Sequence, residues 1–404
     1  MLANAVYSPT FTVRLDGEPL PTAMRAAITS MRYQDGLEGA DRVELTLSNE
    51  RLQWLDHPLL QTDVGFELEI GYAPDPMERV FVGEITGIET SFTPGGPTVT
   101  VIAHDFLQRL TQGSKDRAFA LSIPCIGKFP LPDPVIANVV TGTNLLIPAV
   151  DPIGSAVSFL ALLLTYAIDP LEAKRSIRIQ QGESDFDFLA GLAAENGWEM
   201  LIDHQRRPQG YILRFKFLLQ EYSPSVELRW GESLVDFTPR ISNVGQVAAI
   251  STRIWISSIK TELVVVLGWD YDRAAFDLQI FPGFGDLGAL LGSDSSRGVL
   301  QLDAIGPATA PRKILGELLL RLNNRLTASG TTVGDPRIKA GRVVEVQGVG
   351  DQFGGLYRFT SCTHTIDATG YRTTFDARKE VWFGSIPRPK GAAGLVRIQG
   401  QTVG

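Results

Sequence analysis

The chain has 404 residues, of which 44% are hydrophobic and 20% charged, so it is long enough for two or three globular domains. Its net charge of -8 leaves no excess of Lys and Arg to neutralise phosphates, so we expect no nucleic-acid partner. The two cysteines, Cys125 and Cys362, form no CxxC pair and predict neither a zinc knuckle nor a disulfide framework.

The N-terminal segment and the most apolar run of the chain were the candidates for a secretory signal and a membrane span. The N-terminal segment lacks a basic region followed by an apolar core, so it does not read as a secretory signal. The run from Ala156 to Ile168 is shorter than the roughly 20 residues that span a bilayer. We therefore expect a buried helix there and no direct membrane span.

The first hundred residues read as short strands separated by turns. In "FELEI" (66–70) apolar residues alternate with glutamates, which is the period of a half-buried strand. Asp35-Gly36 and "TPGGP" (93–97) supply turn chemistry. Many short strands with regular turns predict a β-sandwich or a small barrel.

The middle of the chain predicts helices and a hairpin. In "QGESDFDFLAGLAAENGWEMLID", Ser184 can cap a helix with Asp187 three residues later, and Asn196-Gly197 supplies a left-handed exit. The acids of "ESDFD" are then helix N-terminal charges that the dipole favours. The strands "WEMLID" and "YILRFKF" read as a hairpin.

Strands return from Val226, and a second helix follows Pro311. Helical spacing over 312–328 is held by Leu315, Leu318, Leu319, Leu322 and Leu326. Gly330 lies past the expected end of this helix. The final residues, 384–404, are rich in Gly and Pro and carry three basic residues without an acid, which predicts a tail.

Residues 66–105 and 343–378 share one order of features. Each has an alternating strand ending near a glycine, a polar turn, a longer strand, a glycine turn and a last alternating strand. Within "LYRFTSCTHTI" the apolar phase changes, which predicts a β-bulge near Thr360 and Ser361. A β-unit repeated at both ends predicts two related barrels with a helical and mixed region between them.

Two glycine clusters resemble nucleotide-binding loops but lack the necessary context. The glycines of "GVGDQFGG" (348–355) miss the GxGxxG spacing by one and precede a strand instead of a helix, so we interpret them as turn residues. A literal GxGxxG, formed by Gly283, Gly285 and Gly288, is followed by a segment too short for a crossover helix. No cofactor is therefore expected.

Metal and catalytic motifs are also missing from the sequence. The histidines, which form no HExxH pair, are His57, His104, His204 and His364. His104 precedes Asp105, and His364 shares a strand face with Cys362, but each pair offers two ligands of the usual four. We favour structural roles and predict no metal site. Without a GxSxG elbow or a singled-out carboxylate pair, we predict no catalytic residue.

Three stretches nevertheless resemble one known family. "QGESDFDFLAGLAAENGWEMLI" resembles the signature of the phage late control D family and of VgrG-type baseplate hubs of contractile injection systems. "LEGADRVELTLSN" with "VFVGEITGIET" resembles the first tube-like barrel of that family, and "RIKAGRVVEVQGVGDQFGGLYRFTSCTHTIDATGYRTTFDAR" resembles the second. Together they cover both ends and part of the middle.

The resemblance implies a non-enzymatic hub with a mainly β fold and helical insertions (α+β). It implies two related tube-like β-barrels at 1–112 and 226–383, the second including the helix 312–328, with a mixed middle region at 113–225. A homotrimer of such chains would have pseudo-six-fold symmetry and adapt a hexameric inner tube to a trimeric spike. Further implied partners are baseplate wedge components and lumen cargo. Assembly is expected in the bacterial cytoplasm, and the final location in the baseplate of a phage tail-like particle.

The chain departs from VgrG-type proteins because it stops without a fused spike, so we expect the spike to be a separate chain. The tail at 384–404 is the expected docking site, through Pro387, Arg388, Leu395, Val396 and Arg397. Two alternatives stay open: a tip-associated hydrolase acting on cell-wall glycan, and a receptor-binding module.

Overall fold

The structure is a computed structural model that describes residues 8–123, 127–168, 174, 176–217, 222–242, 249–256, 259–270, 275–283, 299–302 and 310–383. Within these residues the chain is mainly β, with helices inserted between strands. The strands form four sheets, and none of these sheets closes on itself.

The largest sheet has 13 strands. In chain order these are β1 (Ser8–Leu15), β2 (Glu18–Pro19), β3 (Ile28–Gly36), β4 (Arg42–Ser48), β5 (Gly65–Ala73), β6 (Glu78–Thr93), β7 (Gly96–Asp105), β14 (Val226–Arg229), β15 (Leu234–Ile241), β20 (Leu326–Val333), β21 (Val343–Gln347), β22 (Gly355–Asp367) and β23 (Gly370–Arg378). Their spatial order is β15-β20-β23-β22-β3-β4-β7-β6-β5-β1-β2, while β21 pairs with β22 and β14.

Three smaller sheets and six helices complete the described fold. The sheets contain β10 (Ile147–Val150), β13 (Ile212–Phe217) and β12 (Trp198–Asp203); β11 (Arg178–Glu183), β8 (Lys115–Ile123) and β9 (Gly127–Pro130); and β18 (Ala275–Pro282), β17 (Thr261–Asp270), β16 (Ala249–Ile256) and β19 (Val299–Leu302). The helices are α1 (Thr22–Ala27), α2 (Asp133–Thr143), α3 (Pro152–Ile168), α4 (Asp185–Asn196), α5 (Ala310–Asn323) and α6 (Gly350–Phe353).

The large sheet joins the two ends of the chain. Strand β3 pairs antiparallel with β22, from Gly36 opposite Ser361 to Met31 opposite Ile366. On the two sides of this join, β5-β6-β7 and β21-β22-β23 are both antiparallel meanders, as the shared order of features in the sequence predicts. The ladder shifts its register between Phe359 and Ser361, which confirms the predicted bulge.

Each part of the fold has its own buried apolar cluster. One lies under the N-terminal strands and includes Phe66 and Phe81, and another lies under the C-terminal strands and includes Phe359 and Phe375. A third surrounds α2, α4 and the β12-β13 hairpin. The fourth lies between α5 and the sheet of β16 and β17. The β-units at both ends can therefore exclude water independently of the middle region.

Helix α4 begins and ends as the sequence predicts, and one of its acids has an additional role. The Ser184 side chain accepts a hydrogen bond of 3.0 Å from the Asp187 N–H, and Gly197 has a left-handed φ of 66°. The Asp185 carboxylate is buried and forms ion pairs with Lys115 and Arg117 of β8. This acid therefore lies in the first turn of the helix, as predicted, and also ties α4 to the neighbouring sheet.

Helix α5 ends earlier than the sequence predicts. It ends at Asn323 instead of residue 328, and Leu326 is the first residue of β20. Gly330 lies inside that strand, where an added Cβ would be 2.7 Å from the Asp236 carbonyl oxygen. Pairing of β20 with both β15 and β23 outweighs the helical spacing of the leucines, because tertiary contacts override local propensity.

Helix α3 confirms the helical prediction for the apolar run but not its burial. Phe159, Leu160 and Leu163 are 58%, 54% and 53% exposed. In contrast, Ser158 and Thr165 are buried. The expectation of a buried helix is therefore wrong for one face of α3. None of the helices in the described ranges combines the length and the hydropathy that crossing a membrane requires.

Candidate functional site

One face of the large sheet is polar across the join between its two halves. The antiparallel register places one row of side chains opposite each other over eight strands. From β15 to β6 this row is Asp236, Thr331, Thr374, Thr363, Gln34, Arg42, His104 and Glu84. All eight residues are polar and none is buried. We call this surface the polar face.

The polar face is concave near the join. A trough of about 780 Å³ lies there, lined by residues of both halves of the sheet such as Arg42, Ser329 and Asp376. Leu320 and Asn324, at the end of α5, close one side of it. A concavity lined by hydroxyl, amide and charged groups of both signs can contact a polar polymer or protein through many weak interactions.

The other face of the same strands is apolar and packs on the two cores. Leu45, Val101 and Phe375 alternate with polar-face residues and are all nearly inaccessible to solvent. This alternation is the period-2 pattern of a sheet with one solvent-exposed face and one buried face. The signal is present in the sequence of each strand, but the continuity of the row depends on pairings that only the fold supplies.

Three of the four histidines are held by ordinary hydrogen bonds. His104 contacts the Thr86 hydroxyl at 2.6 Å on the polar face, whereas Asp105 points to the opposite face. His364 is buried and donates from Nε2 to the Ile338 carbonyl oxygen. Burial lowers the pKa of His364 to about 4, so it is neutral at pH 7. His57 accepts a hydrogen bond from the Leu59 N–H. These positions fit the structural roles that the sequence favours.

The fourth histidine belongs to a buried acidic junction that we did not predict. His204, which follows β12, lies between Asp41 and Asp105, and the three side chains offer ligand atoms within 4.8 Å of one another. The His204 Nε2 atom is 3.0 Å from Asp41 Oδ2 and 3.9 Å from Asp105 Oδ2. The three residues come from three distant segments, so no local spacing in the sequence signals this arrangement.

The hydrogen bonds of His204 favour a structural role over a role as a metal ligand. The Val82 N–H donates to Nδ1 at 3.1 Å, so Nδ1 is the acceptor and the hydrogen resides on Nε2. The Nε2–H group then donates to Asp41, which leaves no free ring lone pair for a metal ion. His204 thereby ties the middle region to β6 and to the turn before β4.

Burial affects the Asp105 carboxyl of this junction and the carboxyl of Asp35 near it. Asp35, at the end of β3, accepts a hydrogen bond from the Ala340 N–H at 2.9 Å across the join. Burial, followed by the nearby Asp41 charge, raises the pKa of Asp35 to about 8. The same two causes hold the pKa of Asp105 well above its usual range. A cavity of about 430 Å³ adjoins these groups and Lys339, whose pKa burial lowers.

The raised pKa of Asp35 predicts that the free energy of unfolding decreases as pH rises. In the unfolded chain the carboxyl ionises near pH 4. In the folded chain it stays protonated until about pH 8. The stabilisation is complete below pH ~4 and is lost as pH rises towards ~8, because the unfolded state releases its proton first. Asp35→Asn keeps the acceptor oxygen without the charge, so we expect the variant to gain stability relative to the wild type across this window, as measured by urea unfolding.

Asp367→Asn is the matched control for this experiment. Hydrogen bonds from Thr369 lower the pKa of the partly exposed Asp367, so this group titrates below the window. We expect its difference from the wild type to stay constant between pH ~5 and ~8. Parallel curves for Asp35→Asn and the wild type would contradict the raised pKa. Among the groups that face Asp35, Asp41, Lys339 and Cys362 stay unchanged in both variants.

The glycine-rich stretch forms turns, as predicted. Gly348 and Gly350 have φ of 81° and 79°, and α6 covers only four residues before β22 begins. The second glycine motif has only Gly283 within the described residues, and Cys125 and the five tail residues of the predicted spike-docking site also lie outside them.

Comparisons with known proteins identify the fold. No known family model matches the chain, and no curated protein matches its sequence. Among solved structures it is similar to the 43 kDa tail protein of prophage MuSo2 from Shewanella oneidensis, with a TM-score of 0.59 at 14% identity over 93% of this chain and 99% of that one. It is also similar to a tail protein from Neisseria meningitidis MC58, with a TM-score of 0.58 at 10% identity over 94% and 100% of the two chains.

A third similar structure is the E. coli c3393 protein, described as a component of the type VI secretion system with structural similarity to the bacteriophage T4 tail proteins gp27 and gp5. Its TM-score is 0.54 at 12% identity, over 93% of this chain and 79% of that one. At these identities the likeness shows the fold alone. The chain has the fold of phage tail and secretion-system proteins, which agrees with the mainly β architecture predicted from the sequence.

Proposed function

We propose that this chain is a structural baseplate hub of a contractile tail or injection system. Three copies would form a ring of six β-units, which adapts a hexameric inner tube to a trimeric spike. The proposed function is non-enzymatic, because it depends on a shape and a symmetry that the chain would supply through one sheet. The fold shared with phage tail proteins supports a tail or baseplate role.

The observation that carries this proposal is the continuous sheet. The pairing of β3 with β22 joins the N-terminal and C-terminal β-units side by side within one chain. Each unit has a meander, a core of its own and a share of the polar face. Two similar units per chain are what a three-chain ring needs to match six tube subunits.

The ends of the sheet support a ring as the form of assembly. One edge is β15 and the other is the β1-β2 hairpin, so the two edges differ. Head-to-tail contacts between unlike edges give closed rings when the rotation closes. Pro239 within β15 lacks an N–H, and Val235 near the start of the same strand is exposed, so we expect side-chain packing in addition to main-chain pairing at this edge.

In such a ring the polar face would line the channel. A channel that passes cargo needs a hydrophilic lining. The apolar side of the sheet cannot supply it, because that side packs on the cores. The row from Asp236 to Glu84 mixes hydroxyl, amide and oppositely charged groups. Such a surface offers many weak hydrogen bonds and no large field of one sign.

The test is the mass of the purified full chain by size exclusion with light scattering. The hub proposal expects three chains per particle and a ring with a central hole in electron micrographs. A single-chain mass at the highest soluble concentration would overturn it. Clearing of peptidoglycan by the purified protein, or binding of the isolated chain to target cells, would instead favour the hydrolase or the receptor-binding alternative.

The spike interface is a finer part of the same proposal. Truncation after Phe383 removes Pro387, Arg388, Leu395, Val396 and Arg397. We expect the truncated chain to keep its oligomeric mass and to lose co-purification of the spike protein from the native host. Retained co-purification would place the spike contact elsewhere on the hub.

A further inference from the structure

Helices α4 and α5 pack together and leave a groove beside their contact. They approach closely, because a Cβ added at Gly316 of α5 would be 2.4 Å from the Ala194 carbonyl oxygen of α4. The groove has a volume of about 630 Å³ and is also lined by β12 and by the turn between β3 and β4. Its apolar lining includes Leu37, Phe186, Ala190, Ala193, Trp198, Met200, Leu319 and Leu320. We call this surface the α4-α5 groove.

Three buried polar atoms on residues of the α4-α5 groove lack partners. Within the described ranges, no hydrogen-bond partner is found for Glu199 Oε2, Asn323 Nδ2 and Arg378 Nε. Buried polar groups normally have one, so each missing bond needs an explanation. One of these atoms is an acceptor and two are donors, and a peptide main chain offers both an N–H and a carbonyl oxygen. The groove therefore suits a polypeptide segment.

The charges of the α4-α5 groove favour a segment that carries cations. Its charged lining residues are four acids and two bases, namely Glu38, Glu195, Glu199, Glu317, Lys313 and Arg378. Glu195 and Glu317 have side chains 32% exposed, and each forms an ion pair with an arginine. A carboxylate in such a pair can still accept further hydrogen bonds. A basic segment without acids therefore complements the groove.

The described part of the chain ends next to this groove. The Val381 N–H donates to Asn323 Oδ1 at 3.1 Å, and Asn323 lines the groove. Phe383, the last described residue, lies two positions further along the chain. From Asn323 back to Lys313 the groove follows α5 over roughly three helical turns, about 15 Å. The extended segment 384–390 covers up to about 25 Å, so it can reach the whole length of the groove.

We propose that residues 386–390 of this chain bind in its own α4-α5 groove. The segment reads "IPRPK", which has two cations and no acid. Each residue before a proline is restricted to extended conformations, so little conformational entropy is lost on binding. The isoleucine and proline side chains match the apolar walls, which include the rings of Phe186 and Trp198.

The contact anchors the tail and is compatible with the proposed ring. It lies within one chain, so the sheet edges stay available to neighbouring copies. Pro387 and Arg388 then hold the tail on the hub, and Leu395, Val396 and Arg397 remain available to the spike. This use of the anchor rests on the proposed hub function, whereas the contact itself does not.

Trypsin cleavage of the full chain tests the anchor. The tail offers one site after Lys390, inside the proposed contact, and one after Arg397, outside it, because the proline after Arg388 blocks cleavage there. Intact mass gives both rates, and a synthetic peptide of residues 384–404 gives their intrinsic ratio. We expect cleavage after Lys390, relative to that after Arg397, to be at least ~10-fold slower in the protein than in the peptide. An unchanged ratio would overturn the proposal.

Matched variants show whether the groove provides this protection. Leu320→Arg places a cation in the groove, and Leu320 is 55% exposed, so we expect the fold to be retained and the protection of Lys390 to disappear. Arg321→Met, outside the groove lining, should keep the protection. Arg388→Glu should lose it, and Arg388→Lys should retain it. Protection that persists in Leu320→Arg, or that falls on dilution to single chains, would contradict a contact within one chain.

The outcomes separate this inference from the hub proposal. A wild-type trimer with selective protection of Lys390 supports both. A wild-type trimer without that protection overturns the groove contact and leaves the hub proposal intact. A single-chain mass with selective protection overturns the trimer and keeps the groove contact. A single-chain mass without protection overturns both.

Discussion

Arg358→Met is expected to lower the free energy of unfolding by about 3–5 kcal/mol, because it leaves a buried carboxylate without its main partner. The side chains of Arg358 and Glu380 have 0% relative exposure and form a two-point contact, with Nε to Oε1 at 2.7 Å and Nη2 to Oε2 at 2.9 Å. Arg358 also donates to the Gly341 carbonyl oxygen at 2.8 Å. Urea unfolding followed by circular dichroism measures the loss.

Two further variants test the reason for this effect. Arg358→Met combined with Glu380→Leu removes both charges, and we expect it to recover much of the lost stability, since an apolar pair of similar volume can replace a buried ion pair. Arg321→Met breaks a half-exposed pair with Glu317 on α5 and should cost only about 0.5 kcal/mol. Equal losses for Arg358→Met and Arg321→Met would contradict the buried-pair explanation.

Thr363→Pro is expected to lower the free energy of unfolding by more than about 3 kcal/mol and to prevent assembly of the proposed ring. Thr363 lies in β22, opposite Thr374 of β23 on one side and Gln34 of β3 on the other. Its N–H faces a strand whichever way it points, so proline removes a ladder hydrogen bond in the middle of the sheet. Unfolding curves and light scattering report the two effects.

Thr363→Val is the control for the proline variant. Valine keeps the β-branched shape and the N–H, so the change should stay within about 0.5 kcal/mol and the oligomeric mass should not change. If the proline variant kept both its stability and its mass, the join between β3 and β22 would not be the element that holds the two β-units together.

Local sequence patterns predicted the elements whose structure is determined by their own residues. The capped helix α4 follows from Ser184 and Gly197, and the bulge in β22 follows from the change of apolar phase around Thr360. In both cases the physical cause lies within a few residues of the effect. The strands of the N-terminal unit are predictable for the same reason, because one face of each is buried.

The strand that matters most for the proposed function was not predicted. In β3 the inward positions are Met31, Tyr33 and Asp35, so an acid interrupts the apolar alternation. Asp35-Gly36 reads as a turn in the sequence, yet it pairs with β22. The Asp35 carboxyl is tolerated there because the Ala340 N–H, from a distant segment, satisfies it. A single sequence contains no local sign of that partner.

The acidic junction was missed for a related reason. Asp41, Asp105 and His204 become neighbours only when the middle region folds onto the N-terminal unit. The sequence placed His104 beside Asp105, but successive residues of a strand point to opposite faces. The exposure of Phe159, Leu160 and Leu163 on α3 was missed because an apolar run by itself indicates burial.

The join between β3 and β22 also sets the order of events during synthesis. Asp35 and Ala340, which bond across it, are 305 positions apart in the chain. Contacts of such long range form slowly, because a large loop must close before they stabilise the fold. The N-terminal unit must therefore wait, with the edge of β3 unpaired, until nearly the whole chain has left the ribosome. An incomplete chain lacks β22 and has an open edge at β3, so in the proposed ring only a chain that has β22 would supply both β-units.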